Sequence, residues 1–351
     1  GLLEGYFKDP AKTLLKDHLQ LSLAALDDDA RLPEDEPLDG IARLHTVARR
    51  VFLQQVLPSK CGDPAWIWDR QPPAWVALGG LLPPGEAGAQ AWNAEVAAVE
   101  ALWQRVEKDF RGRFDARAAA GAQPLRVDVA LRLPGEGAGE DGVPARISGL
   151  LRNVFPLAGT DDGVQLVFAY PAPGDQKTRL KAAKALSFKE RVPAFLHWAL
   201  LRLQRAEAPV RLTLLAADAC VFAEAINVWD AHYCTADAAT RTALQADLRR
   251  RLRSLVALAQ RGLAGQARFY PQVGWAAAQA GENANLDAIA EDVRKLWVKS
   301  YGDGTGERDH APGYARLLEG DLVFGDRERD PEAAALQALR RDAREVLALI
   351  T

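Results

Sequence analysis

Residues 124–216 place the strongest constraint on what this chain can fold into, because the hydrophobic period there changes from helical to two. Leu125, Val127, Val129, Leu131 and Leu133 alternate with Arg126, Asp128, Ala130 and Arg132. Successive side chains of a strand point to opposite faces, so this pattern predicts a half-buried strand. The glycine-rich stretch 134–144 reads as a hairpin loop, and Ala145–Leu157 and Val164–Tyr170 as two more strands joined through Gly159–Gly163. After a Lys-rich connection, a helix is expected over Glu190–Arg205 and a fourth, apolar strand over Val210–Ala216. A three-strand meander, a crossover helix and a returning strand form a mixed sheet core of the α/β (α+β) class.

The flanks read as helical. Pro10 opens a helix carrying Leu14, Leu15, Leu19 and Leu21, an acidic loop runs from Asp27 to Pro37, and a second helix covers about Leu38 to Leu57. A Trp- and Pro-rich loop follows with Trp66, Trp68, Pro72, Pro73 and Trp75, where proline prevents regular continuation. A third helix, Ala89 to about Phe110, aligns Trp92, Val96, Val99, Trp103 and Val106 in one stripe. Beyond Cys220 the expected helices are Ala238–Arg261, Leu286–Tyr301 and Pro331–Leu349, the last entered through its proline. The chain is therefore read as one domain over 1–351: a helical lead-in (1–120), a sheet core with crossover helix (121–225) and a mostly helical remainder (226–351).

Composition excludes several classes. The 351 residues suffice for a core without disulfide or metal staples. The 44 Lys+Arg against 47 Asp+Glu argue against a broadly basic nucleic-acid binder and leave only a local basic face to be sought. The longest apolar run, near Phe195–Leu201, falls far short of the roughly 18 residues of a membrane span. Cys61, Cys220 and Cys234 form no CxxC pair, so no disulfide framework, zinc site or iron–sulfur cluster is expected, and the cytoplasm is the default compartment. Gly1 in the first position and the absence of any methionine point to a fragment of a longer chain.

General catalytic signatures are missing: the sequence contains no GxxxxGK[ST], GxSxG or HExxH, and His18, His45, His197, His232 and His310 show no ligand spacing. The order of elements, however, is similar to that of the restriction-endonuclease-like, PD-(D/E)xK, core. Active members of that fold hold Mg²⁺ on carboxylates of the second and third strands, with a Lys beside the latter. The metal activates water and neutralises the scissile phosphate.

A more specific resemblance lies in the ordered segments Tyr6-Phe7-Lys8-Asp9-Pro10 through Leu19, Asp35-Glu36-Pro37-Leu38, Gly80-Leu81-Leu82-Pro83-Pro84-Gly85-Glu86-Ala87-Gly88, Ile147-Ser148-Gly149-Leu150-Leu151, and Gly302 to Leu317 with Tyr314-Ala315-Arg316-Leu317. Together these resemble the C-terminal domain of RecC, the gamma subunit of exodeoxyribonuclease V. The Leu82 to Gly88 loop is the most distinctive. The resemblance implies a nuclease-like domain that has lost its chemistry, working in DNA repair and recombination beside a RecB-like beta subunit and a RecD-like alpha subunit that carry cleavage and ATP hydrolysis. Against an active relative, Arg152 occupies the position of the first metal-binding Asp, Ala169 the second acid and Pro171 the lysine, while Val192 and Leu196 replace the Gln and Tyr of the helix motif. No catalytic residue, metal or cofactor is then expected. The alternatives are an active metal-dependent nuclease using Asp161, Asp162 and Asp175, or a purely protein-interacting domain.

Two surfaces could still engage duplex or single-stranded DNA. Between Asp175 and Arg205, eight basic residues stand against Asp175 and Glu190; Lys177, Arg179, Lys181, Lys184 and Lys189 form its leading part and, with Arg152, are the candidate phosphate contacts. Trp66, Trp68 and Trp75 are candidates for stacking on bases or anchoring a partner. Arg249, Arg250, Arg251 and Arg253 spread around a helix and read better as ion-pairing or partner-facing residues.

Overall fold

The computed structural model describes residues 2–21, 44–63, 65–133, 142–170, 186–215, 221–281, 284–298, 306–310, 317, 328 and 332–351. Its elements are α1 (Leu2–Lys8), α2 (Leu44–Val51), α3 (Glu86–Phe110), β1 (Gln123–Leu133), β2 (Val143–Pro156), β3 (Val164–Ala169), α4 (Phe188–Gln204), β4 (Val210–Leu215), α5 (Val221–Thr235), α6 (Ala238–Leu263), α7 (Pro271–Gln279), α8 (Leu286–Trp297) and α9 (Ala334–Ile350). The four strands form one sheet in the order β1-β2-β3-β4; the first two pairings are antiparallel and the third is parallel. Parallel strands cannot be joined by a tight turn. The connection from β3 to β4 therefore crosses through α4, whose start is fixed by a capping box between Ser187 and Glu190.

Helices cover both faces of the sheet. On one face Val127, Val129, Leu166 and Leu212 pack against Val192, Phe195 and Leu196 of α4 and Leu252 and Leu255 of α6. On the other, Phe155, Val167, Ala169 and Leu215 meet Phe52, Val56, Trp92 and Trp103 of the lead-in helices. A strand buried on both sides is mostly apolar, so β3 and β4 lack the strict alternation of β1, and their buried polar residues Gln165 and Thr213 satisfy each other, Thr213 donating to Gln165 at 3.1 Å. A third cluster joins α7, α8 and α9 through Val273, Ile289, Val293 and Leu339.

Polar side chains close the outer edges of the sheet. At β1, Gln204 donates to the Arg126 carbonyl (2.9 Å) and accepts from the Asp128 N–H (3.2 Å). At β4, Asn227 of α5 donates to the Leu212 carbonyl and accepts the Leu212 N–H, both at 2.9 Å, while Asp230 accepts the Val210 N–H at 3.0 Å. Asp230 also receives the buried Arg202 guanidinium at 3.0 Å, fastening the end of α4 to α5 and β4. Burial raises the Asp230 carboxyl pKa against the pull of Arg202.

Several boundaries differ from expectation. A helical turn, α1, precedes Pro10, and it packs on the α4 side of the sheet with Tyr6 and Phe7 in that core. Gly262 permits this approach, because a Cβ there would meet the Tyr6 hydroxyl at 1.7 Å. The last helix begins at Ala334, behind Ala333 in a left-handed conformation (φ 52°), and not at Pro331; α8 ends at Trp297, short of Tyr301. The expected acidic loop Asp27 to Pro37 and the hairpin tip 134–141 lie outside the described residues. Among the described residues no helix is long and apolar enough to cross a membrane.

Removing the Asp230 carboxylate leaves Arg202 buried without its counter-charge, so Asp230→Ala is expected to lower unfolding free energy by about 3–5 kcal/mol in urea titrations. Glu307 caps α7 by accepting the N–H of Val273 (2.8 Å) and of Gln272 (3.1 Å). Burial pushes its carboxyl up to about 7 although those N–H groups favour charge. The folded state thus favours the protonated form: the contribution is fully present below the unfolded pKa and is lost as pH rises to about 7, a swing on the order of 3 kcal/mol. Glu307→Gln should flatten stability relative to the parent over that window, measured by denaturation at a series of pH values.

Candidate functional site

The sheet forks at β2. This strand pairs with β1 from Val143 through Leu151, and with β3 only through Val154↔Leu166, Phe155↔Gln165 and Pro156↔Val164. At the handover the β1 register steps from Leu125↔Leu151 to Gln123↔Val154. Two residues of advance on β1 thus answer three on β2, which defines a bulge at Arg152 and Asn153. Bulges redirect side chains and end pairing, and this one sits where the two strands separate.

The exposed Arg152 side chain projects from this bulge. Ala169, the proposed second-acid position, lies 4% exposed among Phe155, Val167 and Leu215, and Val192 and Leu196 are buried on α4. The structure therefore does not gather these positions around one polar centre: Arg152 faces solvent while the others are packed in two different cores. Asp161 and Asp162 are exposed in the turn between β2 and β3, whose carbonyls at Leu157, Thr160 and Asp161 accept from Arg117 at 3.0, 2.8 and 3.1 Å. No group of three His, Cys, Asp or Glu residues is placed to hold a metal ion among the described residues. Lys189 is exposed on the first turn of α4; Pro171, Asp175, Lys177, Arg179, Lys181 and Lys184 lie outside the described residues.

A polar and aromatic row that no local motif signals lines the fork. Glu4 of α1 meets His197 of α4 at 3.2 Å, His197 lies 5.6 Å from the Phe168 ring, and Phe168 stacks parallel to Tyr170 at 6.3 Å. The Arg49 guanidinium sits 5.6 Å from the Tyr170 ring centroid. Burial opposes ionisation of Glu4, but the hydrogen bond and charge of His197 and the charge of Lys8 outweigh it and hold its carboxyl well below the usual range. Burial lowers the Arg49 pKa, opposed by the charges of Tyr170, Glu190 and Glu95. Glu4 and His197 lie 193 residues apart, so no sequence window could join them.

The tryptophan loop divides. Trp68 is buried and packs edge-to-face on Trp92 at 6.4 Å, so it is a core residue and is unavailable for stacking. Trp66 is half-buried beneath Lys60, and Trp75 is 42% exposed with the Arg50 guanidinium 5.3 Å from its ring. Ile67 (83% exposed) and Leu78 (86%) extend this apolar surface. Arg250 and Arg251 bind Asp247, the latter at 2.8 Å, as expected for ion-pairing residues. Cys61 and Cys234 are free thiols, and burial pushes Cys61 up to about 11.

These features define a mixed α/β domain with a forked four-stranded sheet, helices on both faces, and a cation where the strands part. The chain belongs to the RecC C-terminal domain family, which it matches over residues 2–282. No curated protein matches the chain. The matched range includes the Leu82 to Gly88 loop and the whole fork, and ends before Gly302 to Leu317. Family membership carries a role in DNA repair as part of a RecBCD-type complex, whose nuclease and helicase activities lie mostly elsewhere.

The two tryptophan environments predict opposite outcomes. Trp68→Ala should cost about 3–5 kcal/mol of stability by opening a cavity in the lead-in core, whereas Trp75→Ala should stay within about 1 kcal/mol of the parent in the same urea titration.

Proposed function

We propose that this chain is a non-catalytic scaffold of a RecBCD-type helicase–nuclease, with a restriction-endonuclease-like core whose active site has decayed. The single observation that carries this reading is the composition of the fork. An exposed cation, Arg152, stands on the bulge where a metal-binding Asp is required, and the second-acid position, Ala169, is sealed in an apolar cluster. A guanidinium cannot ligate Mg²⁺, and an acid introduced at Ala169 would face Phe155 and Val167 instead of water. The sheet topology supports the same relationship, being an antiparallel meander followed by a crossover helix and a parallel strand.

In this reading the domain scaffolds the RecB-like beta and RecD-like alpha subunits and guides separated DNA strands during double-strand-break processing. Arg152 and Lys189, with Lys177, Arg179, Lys181 and Lys184, contact phosphates. Trp66 and Trp75 stack on bases or anchor a partner. Cleavage and ATP hydrolysis belong to the partner subunits, and the compartment is the cytoplasm.

Equilibrium binding of the protein to a forked DNA across a salt series tests this. Affinity should fall linearly with salt on logarithmic axes, and combined alanine replacement of Arg152, Lys177, Arg179, Lys181, Lys184 and Lys189 should reduce the slope by about 0.7–0.9 per lost phosphate contact. No cleavage is expected with Mg²⁺ or Mn²⁺. Metal-dependent cutting abolished by Asp161→Ala would establish the nuclease alternative, and partner binding without salt-dependent DNA affinity would establish the interaction-domain alternative.

A further inference from the structure

Among the described residues, the fork leaves one strand edge without a pairing partner, and its chemistry defines what can fill it. Antiparallel pairing alternates residues that exchange hydrogen bonds across the ladder with residues whose N–H and C=O both point away from it. On β1, the Arg126 carbonyl and Asp128 N–H point outward, because Gln204 binds both. Their register partners on β2 are Leu150 and Ser148, so these two residues also direct their N–H and C=O away from β1. Arg146, two positions further, shares that orientation. These outward groups occupy the edge that would adjoin β3, but β3 pairs only with Val154–Pro156. Among the described residues, nothing pairs with the edge of β2 at Arg146, Ser148 and Leu150.

A cavity of about 380 Å³ lies along this edge. All six consecutive residues from Arg146 to Leu151 line it, although alternate side chains of a strand face opposite sides. A face of the strand would contribute every second residue; six in succession mean that the cavity reaches the edge, and Val127 of β1, opposite Gly149, shows that it also runs under the inner face of the sheet. The opposite wall is mostly apolar, with Leu2 and Leu3 of α1, Leu196 and Leu200 of α4 and Val256 and Leu263 of α6, and it also carries the Glu4–His197 pair and Gln260. Gly149 leaves the approach clear, since a Cβ there would meet nothing within 4 Å. Leu150, 50% exposed, lies on the solvent face with Arg126, Arg132, Arg146 and Asp128, where Arg146 donates to the Asp128 carboxylate at 3.0 Å. Arg152 follows on the bulge, so this face carries more cations than carboxylates.

We propose that β2 is a strand-addition site: an extended segment of a partner protein, alternating apolar and acidic residues, adds to its Arg146–Leu150 edge. Main-chain hydrogen bonds supply the register, apolar side chains of the segment enter the cavity, and acidic ones face the arginines on the solvent side. The contrast with the outer edges supports this. Side-chain amides bind part of the outer edges of β1 and β4, at Arg126 and Asp128 and at Leu212, and unpaired edges are a liability that folded proteins cover. A nucleic acid strand would satisfy the arginines but has no peptide group to complete the ladder and no side chains for the apolar wall. This inference does not depend on DNA contacts elsewhere on the domain.

The test is fluorescence anisotropy of the protein with a labelled eight-residue peptide alternating valine and glutamate, and with a peptide of the same composition in block order. Saturable binding is expected for the alternating peptide and at least tenfold weaker binding for the blocked one. Two versions N-methylated at alternate positions should separate, one retaining affinity and the other losing it, because only one set of N–H groups faces β2. Ser148→Pro removes an outward donor without touching the β1 ladder and should lose at least tenfold, whereas Ser148→Ala should not. Arg146→Glu with Arg152→Glu should weaken the glutamate peptide and favour its lysine counterpart. Circular dichroism checks that each variant is folded. Equal binding of both methylated peptides, no effect of Ser148→Pro in a folded protein, or displacement by an oligonucleotide with no alternating-peptide preference would overturn the proposal.

Discussion

The carboxylate of Asp230 does two jobs on which the sheet depends: it neutralises the buried Arg202 guanidinium and it accepts the first N–H of β4. The crossover from β3 must deliver β4 in parallel register, and Arg202 lies on the last turn of the helix that makes the crossover. One ion pair therefore ties the end of α4, the start of β4 and the covering helix α5. Its desolvation is costly, and burial accordingly raises the Asp230 pKa. The pair contributes more to fixing a unique arrangement than to net stability.

From that clamp outward, the architecture follows from the need to satisfy strand edges. Gln204, one helical turn beyond the residues that bury α4, presents its amide to β1, and Asn227 does the same for β4. Each amide supplies a donor and an acceptor: Asn227 binds both groups of Leu212, and Gln204 binds the Arg126 carbonyl and the Asp128 N–H. Between these edges β2 turns from one neighbour to the other at a bulge, and among the described residues nothing pairs with its Arg146–Leu150 edge. The most irregular part of the sheet is thus also the part that presents backbone, cation and cavity together.

The packing that closes the lead-in over the sheet bears directly on function. Trp92, Phe52 and Trp103 cover Ala169 and Val167, so the end of β3 is held by apolar contact. A carboxylate at that end would be cut off from water by this seal. Arg152 alternates with Leu151, which points with Val154 into the opposite core, and it is exposed at the bulge.

The sequence by itself determined the local and periodic features. Alternation over 125–133 placed β1 and largely apolar stretches placed β3 and β4, because side-chain periodicity is a property of a few neighbouring residues; the helix expected from Glu190 starts at Phe188, behind the Ser187 to Glu190 capping box. The ordered motifs likewise carried the family. The tertiary structure decided everything that depends on residues distant in the chain. It separated Trp68 from Trp75 by burying one against Trp92, joined Glu4 to His197, and put α1 on the α4 side of the sheet. It also placed the bulge in β2, since a bulge is a mismatch between two strands and has no signature in either one alone.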